Sequence, residues 1–260
     1  LAAAAPAVAS VVLVGGHESA HGRDLLGLVP GAVAVRAGRE LGAAVRAVLR
    51  ESSGPVVVVP MTLGRDPALV AEAARALRWQ GDDADTRRLA LTEPFGTPDH
   101  LVGWLRAAAT GAAARWPGDR GALLVTAAAS GPFDEADLFR VARLVRQHGP
   151  HPWVEVALAG GDPDVTEGLR RCAVLGAGRV TVVPAAFGPA PTADAPPGVP
   201  VHDGGPLLST AAVQAVVTAR VTAALDHLVL GHTGIEAALH AEHGHGYAHS
   251  HGAEPAHSHH

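Results

Sequence analysis

Val56-Val57-Val58-Val59-Pro60-Met61-Thr62-Leu63-Gly64-Arg65-Asp66-Pro67 decides the fold. Four consecutive valines, with no polar alternation, describe a strand buried on both faces, as in a parallel sheet covered by helices. From Val58 onward the stretch aligns without gaps on Val182-Val183-Pro184-Ala185-Ala186-Phe187-Gly188-Pro189-Ala190-Pro191. Both copies read V-V-P-x-x-[LF]-G-x-x-P. A second pair follows in the same order: Val11-Val12-Leu13-Val14-Gly15-Gly16-His17-Glu18-Ser19 resembles Ala122-Leu123-Leu124-Val125-Thr126-Ala127-Ala128-Ala129-Ser130. The offsets differ, 124 against 111 residues, so short insertions separate the copies. Two matches in one order point to an internal duplication.

Outward from these stretches, short apolar runs bounded by Gly and Pro alternate with segments of helical period, the pattern of parallel α/β units. In the first half it predicts strands near 11–16, 31–36, 55–60 and 87–92, with helices near 39–51, 67–79 and 98–115. In the second it predicts strands near 121–127, 153–158, 179–184 and 199–202, with helices near 134–148, 163–175 and 209–230. Asp134 with Asp137, and Ser209, read as helix starts whose side chains suit exposed amides. Glu18 to Pro30 is too short for a long helix and reads as a loop or a single turn. The expectation is an α/β protein of two similar lobes, each a four-stranded parallel sheet flanked by helices. Residues 1–117 form the first lobe, 118–231 the second, and 232–260 a flexible His-rich tail.

Composition agrees with that class. Of the 260 residues 48% are hydrophobic, enough for a large core, but only 3% are aromatic, so the core is built from Val, Leu and Ala. The net charge of −5 comes without a basic block, which argues against a nucleic-acid partner. All 20 basic residues are Arg, which excludes a P-loop lysine. Cys172 is the only cysteine, so neither an intrachain disulfide nor an all-cysteine metal site is available. The apolar start, Leu1–Val14, lacks a basic n-region and a cleavage motif, and no long apolar run is free of charges. A cytoplasmic protein with no membrane partner is the expectation.

Open parallel sheets hold ligands beyond the carboxyl ends of their strands. That rule selects His17, Glu18 and Ser19, then Gly64–Asp66, then Glu93–His100. His17 with Glu18 and His21 is a candidate site for metal or substrate, and His100, at a helix start, is a further candidate ligand. His202, just past a second-half strand, is a weaker one. Gly15-Gly16 is too short for a dinucleotide fingerprint, and Ser19, Ser130 and Asp134 lack a nucleophile elbow.

These residues together resemble the sirohydrochlorin chelatases of the CbiX type, class II chelatases that insert cobalt, or nickel or iron in relatives, into a tetrapyrrole. Leu13-Val14-Gly15-Gly16-His17-Glu18-Ser19 is similar to the family's V-G-H-G-S-like turn, and Val56–Pro60 followed by Leu63 to its V-V-V-P-x-x-L. Glu93-Pro94-Phe95-Gly96-Thr97-Pro98-Asp99-His100-Leu101 resembles its P-L-G-x-x-P-L segment. The similarity runs over residues 10–230. It implies a tetrapyrrole, sirohydrochlorin, as substrate, His17 as catalytic base and metal ligand, and a monomer, because one chain carries both halves. The family places a second His after the V-V-V-P strand; here Met61–Pro67 has none, and Asp66 is the available substitute.

The tail carries its own chemistry. Between His240 and His260, eight of 21 residues are histidine: His240, His243, His245, His249, His251, His257, His259 and His260. Gly244, Gly246 and Gly252 space them, and there is too little apolar surface for this segment to fold alone. Imidazoles so spaced suit divalent nickel and cobalt, with zinc or copper in vitro. A purification tag would be an unbroken run, whereas this one is interrupted and includes Glu242 and Glu254. Three functions follow. The first is a nickel- or cobalt-binding protein for acquisition, storage or delivery to a metal-receiving protein. The second is an active sirohydrochlorin cobalto- or nickelochelatase of tetrapyrrole (cobalamin-type) biosynthesis. The third is an inactive scaffold that binds a protein partner.

Overall fold

The computed structural model of the chain describes residues 9–80, 86–118 and 120–239. The first half contains β1 (Ser10–Gly15), β2 (Val33–Arg36), α1 (Arg39–Glu51), β3 (Val56–Met61), α2 (Pro67–Arg78), β4 (Leu89–Leu91) and α3 (Pro98–Arg115). The second contains β5 (Gly121–Ala128), α4 (Pro132–His148), β6 (Trp153–Ala159), α5 (Val165–Val174), β7 (Arg179–Pro184), β8 (Val201–Asp203), α6 (Thr210–Val229) and α7 (Ile235–Leu239). Between β1 and β2 lie two 3-10 turns, His17–Ser19 and Arg23–Leu25, where a loop or single turn was expected.

Each half contributes one all-parallel sheet, in the orders β2-β1-β3-β4 and β6-β5-β7-β8. The orders coincide when β1 is matched to β5 and β3 to β7, as the repeated sequence predicts. Hydrogen-bond register fixes the match more tightly than the sequence does. Val14 lies opposite Pro60, and Thr126 lies opposite Pro184. Val14 therefore corresponds to Thr126 and His17 to Ala129, one residue beyond the sequence alignment. Apolar strands can slide in an alignment, but a ladder cannot slip by one residue without turning its side chains over.

The four valines of β3 are fully buried because both faces of the sheet are covered. On the outer face Val12, Val14, Val56 and Val58 meet Leu41, Val45 and Leu49 of α1 and Leu69, Ala73 and Leu77 of α2. Those helical residues recur every four positions, so each helix buries one stripe. The outer face of the second sheet, including Ala122, Leu124 and Val182, is closed by Val165, Leu169 and Cys172 of α5. The inner faces share a core: Leu13, Val59 and Met61 belong to one cluster with Leu123, Val125 and Val183.

Two helices cross between the lobes. α3 follows β4 in the chain but packs on α4 and β7, placing Leu105 and Ala109 in the shared core. His151 ties its far end down, with Nε2 3.0 Å from the Ala109 carbonyl and Nδ1 3.1 Å from that of Gly121. α6 returns from the second half to cover Val57 and Ala90 of the first sheet with Ala224, and α7 lies on α2. Ser209 caps α6 by accepting a hydrogen bond from the Ala212 amide, as its sequence position predicts. No helix among the described residues is long and apolar enough to cross a membrane.

Candidate functional site

The carboxyl ends of β1 and β3 bring a cluster of polar residues together. β1 leads through Gly15 and Gly16 into the 3-10 turn His17–Ser19, held by Ser19, whose hydroxyl donates to the Gly16 carbonyl and accepts from the Gly22 amide. β3 leads into Thr62, Arg65 and Asp66. Asp66 caps α2 through Oδ1, which accepts from the Leu69 amide at 3.0 Å. Its other oxygen, Oδ2, lies 3.1 Å from Nδ1 of His17. Glycine at position 16 permits this approach, because a Cβ there would stand 2.0 Å from the same Oδ2.

With Nδ1–H donated to Asp66, the lone pair of the His17 ring resides on Nε2. Nε2 is buried and has no hydrogen-bond partner among the described residues. Burial by itself lowers the His17 pKa, but the hydrogen bond and charge of Asp66, joined by the charge of Glu18, hold it above 6.5. Burial pushes the Asp66 carboxyl up, yet His17 and the Leu69 amide bring it below its ordinary value. The pair behaves as an imidazole steadied by a carboxylate, the arrangement that orients metal-binding and base histidines.

Behind His17 sits a second pair. Glu18 is wholly buried; one carboxylate oxygen accepts from the Thr62 hydroxyl and, at 2.9 Å, from the Leu63 amide. Nε of Arg65 lies 3.5 Å from its other oxygen. Burial raises the Glu18 pKa, against the opposing effects of Arg65 and Thr62. Arg65 is itself 1% exposed and reaches across the lobes, donating from Nη2 to the Ala185 carbonyl at 3.2 Å. The Phe187 amide donates to the Glu18 carbonyl at 2.9 Å, a second crossing from the end of β7.

The other lobe adds Asp134, in the first turn of α4. Burial raises its pKa, His17 and Arg65 lower it, and Asp66 raises it, so its carboxyl lies within the field of the His17 site. Ser130, at the end of β5, has a buried hydroxyl without a partner. The chemistry available is a fixed imidazole whose Nε2 has no partner among the described residues, paired with the Asp66 carboxylate.

Of the residues selected from sequence, the structure brings His17 together with Glu18 and Asp66. His21 is exposed on the following turn, with φ at +56°. His100 is exposed at the start of α3, where Nδ1 accepts from the Thr97 amide at 3.2 Å and the ring stacks on Trp104. His202 lies on β8, 2.8 Å from Nη1 of Arg179 and against Trp116. The tail histidines, His240 to His260, lie outside the described residues. Among the described residues no group of three His, Cys, Asp or Glu side chains is arranged to hold a metal ion. Arg65 lies within the Gly64–Asp66 stretch that the strand-end rule selects but looks like an ordinary surface arginine, and Asp134 stands among the discounted nucleophiles. Their one signal was position, each lying just past the end of a central strand.

Two parallel sheets of four strands, packed through a common core with polar residues at their carboxyl ends, define a two-lobed α/β fold of the class II chelatase type. No family model matches the chain, and no curated protein matches it in sequence. Among solved structures it is similar to a multi-domain protein of Deinococcus radiodurans reported to have structural similarity to chelatases and two additional domains. That likeness has a TM-score of 0.50 and 24% identity, over 82% of this chain and 54% of the other. The chain thus spans about half the length of that protein. It is also similar to CbiX, reported as the terminal enzyme of siroheme biosynthesis in denitrifying bacteria, at TM-score 0.47 and 18% identity over 83% and 98% of the two chains. The sirohydrochlorin chelatase SirB of Bacillus subtilis subspecies spizizenii, in complex with cobalt, gives 0.46 and 15% over 82% and 94%. At these identities the likeness is one of fold.

Proposed function

We propose that this chain is a chelatase that inserts a divalent metal ion, cobalt or nickel, into a sirohydrochlorin-type tetrapyrrole held between the lobes. The observation that carries this reading is the His17 ring, locked to Asp66 through Nδ1 while Nε2 stays buried and unpartnered. Insertion breaks two pyrrole N–H bonds, forms metal–nitrogen bonds and releases two protons. In this reading His17 Nε2 accepts one proton as general base and the Asp134 carboxylate is assigned the other. Asp66 stands where the resemblance to CbiX-type chelatases led us to expect a second histidine. Here it orients the first.

The reading as a nickel or cobalt protein for acquisition, storage or delivery draws on a different observation, the eight histidines between His240 and His260. The two are compatible if the tail collects the ion that the cleft consumes. Incubating the protein with sirohydrochlorin and Co²⁺ or Ni²⁺, and following the tetrapyrrole absorption bands, tests the enzyme. Insertion faster than the uncatalysed reaction, and lost in His17→Ala, is the expected result. A rate equal to the uncatalysed one overturns it and leaves metal handling as the reading.

A further inference from the structure

A pocket of about 320 Å³ opens past the end of β4. It exists because α6 and α7 return to the first lobe there. The Leu91 amide donates to the Thr233 carbonyl at 2.8 Å, and Gly234, with φ at +76°, passes so near Leu91 that a Cβ would lie 2.2 Å from its carbonyl oxygen. The helices are clamped at that point, but where they face the pocket they carry alanines, so space remains between them and the sheet. Val70, Leu91, Ala224 and Ala238 make the wall apolar. Thr62, whose hydroxyl is taken by Glu18, forms part of the wall, while His17 does not line it.

The polar lining holds one guanidinium and two imidazoles. Arg220 projects from α6, and its Nε is buried without a hydrogen-bond partner among the described residues. No carboxylate pairs with it among the described residues. His227, one α-helical step beyond (seven residues, two turns), and His232 line the same pocket. Pro67 and Thr97–Pro98 bring in the first turns of α2 and α3, whose dipoles present partial positive charge. Glu93 is the only acidic residue in the lining, and it is exposed. The Arg220 guanidinium suits an anion, the ring N–H groups of His227 and His232 are hydrogen-bond donors to it, and the apolar wall suits a hydrocarbon body.

We propose that this pocket binds a small, largely apolar organic anion, with Arg220 pairing to its anionic group. His17 does not line this pocket, and binding there does not depend on insertion chemistry. The probe is 8-anilino-1-naphthalenesulfonate, an aromatic monoanion whose fluorescence rises on burial, with neutral N-phenyl-1-naphthylamine as control. Native protein should bind the anion at one site, with Arg220→Gln weakening it roughly ten- to a hundred-fold, the loss of one charge-assisted contact. The neutral probe should be affected far less. Ala223→Leu, which narrows the pocket from its lining, should weaken both probes while thermal unfolding stays unchanged. Failure of the native protein to bind the anion, or equal binding by Arg220→Gln, overturns the proposal.

Discussion

Nδ1 of His17 stands 3.1 Å from Oδ2 of Asp66, and the same carboxylate caps α2 through Oδ1. One aspartate thereby fixes the imidazole of the first strand to the helix that follows the third. The ring cannot turn without giving up that bond, so Nε2 keeps its direction. Fixing a base before substrate arrives is how a carboxylate partner contributes to catalysis.

Asp66→Asn separates the two duties of that residue. An asparagine oxygen can still accept from the Leu69 amide, so the cap survives and unfolding in urea should change by less than about 1 kcal/mol. The amide has no charge with which to orient and hold imidazolium. Metal insertion into sirohydrochlorin should therefore fall roughly 10- to 100-fold. An unchanged rate would show that the pair is not the working unit.

The pair also sets a pH dependence. His17 is raised above 6.5, burial notwithstanding, by Asp66 and Glu18, so its stabilising contribution is complete below 6.5 and is lost as pH rises through the folded value. Asp66 is lowered below 3.8 by His17 despite its burial, so its contribution is complete above 3.8 and lost as pH falls through the folded value. The pair stabilises the fold most between 3.8 and 6.5. Urea unfolding should show the stability gap between native protein and Asp66→Asn narrowing as pH rises from about 6 to about 9. Because a proton on Nε2 competes with metal, insertion should slow on the acid side, and Asp66→Asn should shift that limb to lower pH.

Much of this was legible in the sequence, for reasons that also mark where it stopped. The Val56–Pro60 run and its copy at Val182–Pro184 are buried on both faces, so composition alone reveals them, and the helices announce themselves by apolar stripes such as Leu41, Val45 and Leu49. The strand-end rule selects His17 because fold geometry, not neighbouring residues, brings it to the carboxyl end of a central strand. Contacts between distant elements left no such trace. Nothing local to α3 says that Ala109 will meet His151, and nothing in α6 says that Ala224 will cover Val57. Arg65 falls in the selected Gly64–Asp66 stretch, but its burial left no trace in sequence, because a lone arginine normally stays in water and only the buried Glu18 and the Ala185 carbonyl hold it inside. His100 sits at a helix start as expected, with its ring nitrogen accepting from the Thr97 amide.

Arg65→Met should be the costliest of these changes. Arg65 and Glu18 are 1% and 0% exposed along their side chains, so removing the cation leaves a buried carboxylate with only Thr62 and the Leu63 amide. Breaking one side of a buried pair costs about 3–5 kcal/mol. Glu18→Gln added to Arg65→Met should recover part of that loss, since a neutral amide no longer needs a counter-charge. Urea unfolding of the single and double variants measures both values. A loss below about 1 kcal/mol for the single variant would mean that the pair contributes little.

Truncation after Leu239 separates the tail from the body. α7, Ile235–Leu239, packs on α2, and Ile235 and Leu239 lie against the core of the first sheet. A cut at Gly231 would remove those contacts as well as the histidines, and would confuse lost stability with lost metal. Ending at Leu239 removes all eight tail histidines and leaves the His17 site whole. Titration with Ni²⁺ or Co²⁺ should then show fewer ions bound per chain at neutral pH. In the full chain this difference should shrink below about pH 6, as imidazoles take up protons. Insertion into sirohydrochlorin at saturating metal should persist in the shortened protein and slow only when metal is scarce, because mass action then favours a chain that concentrates ions near the cleft. An unchanged metal count after truncation would remove the tail from metal handling, and an unchanged rate at scarce metal would separate its ions from the reaction at His17.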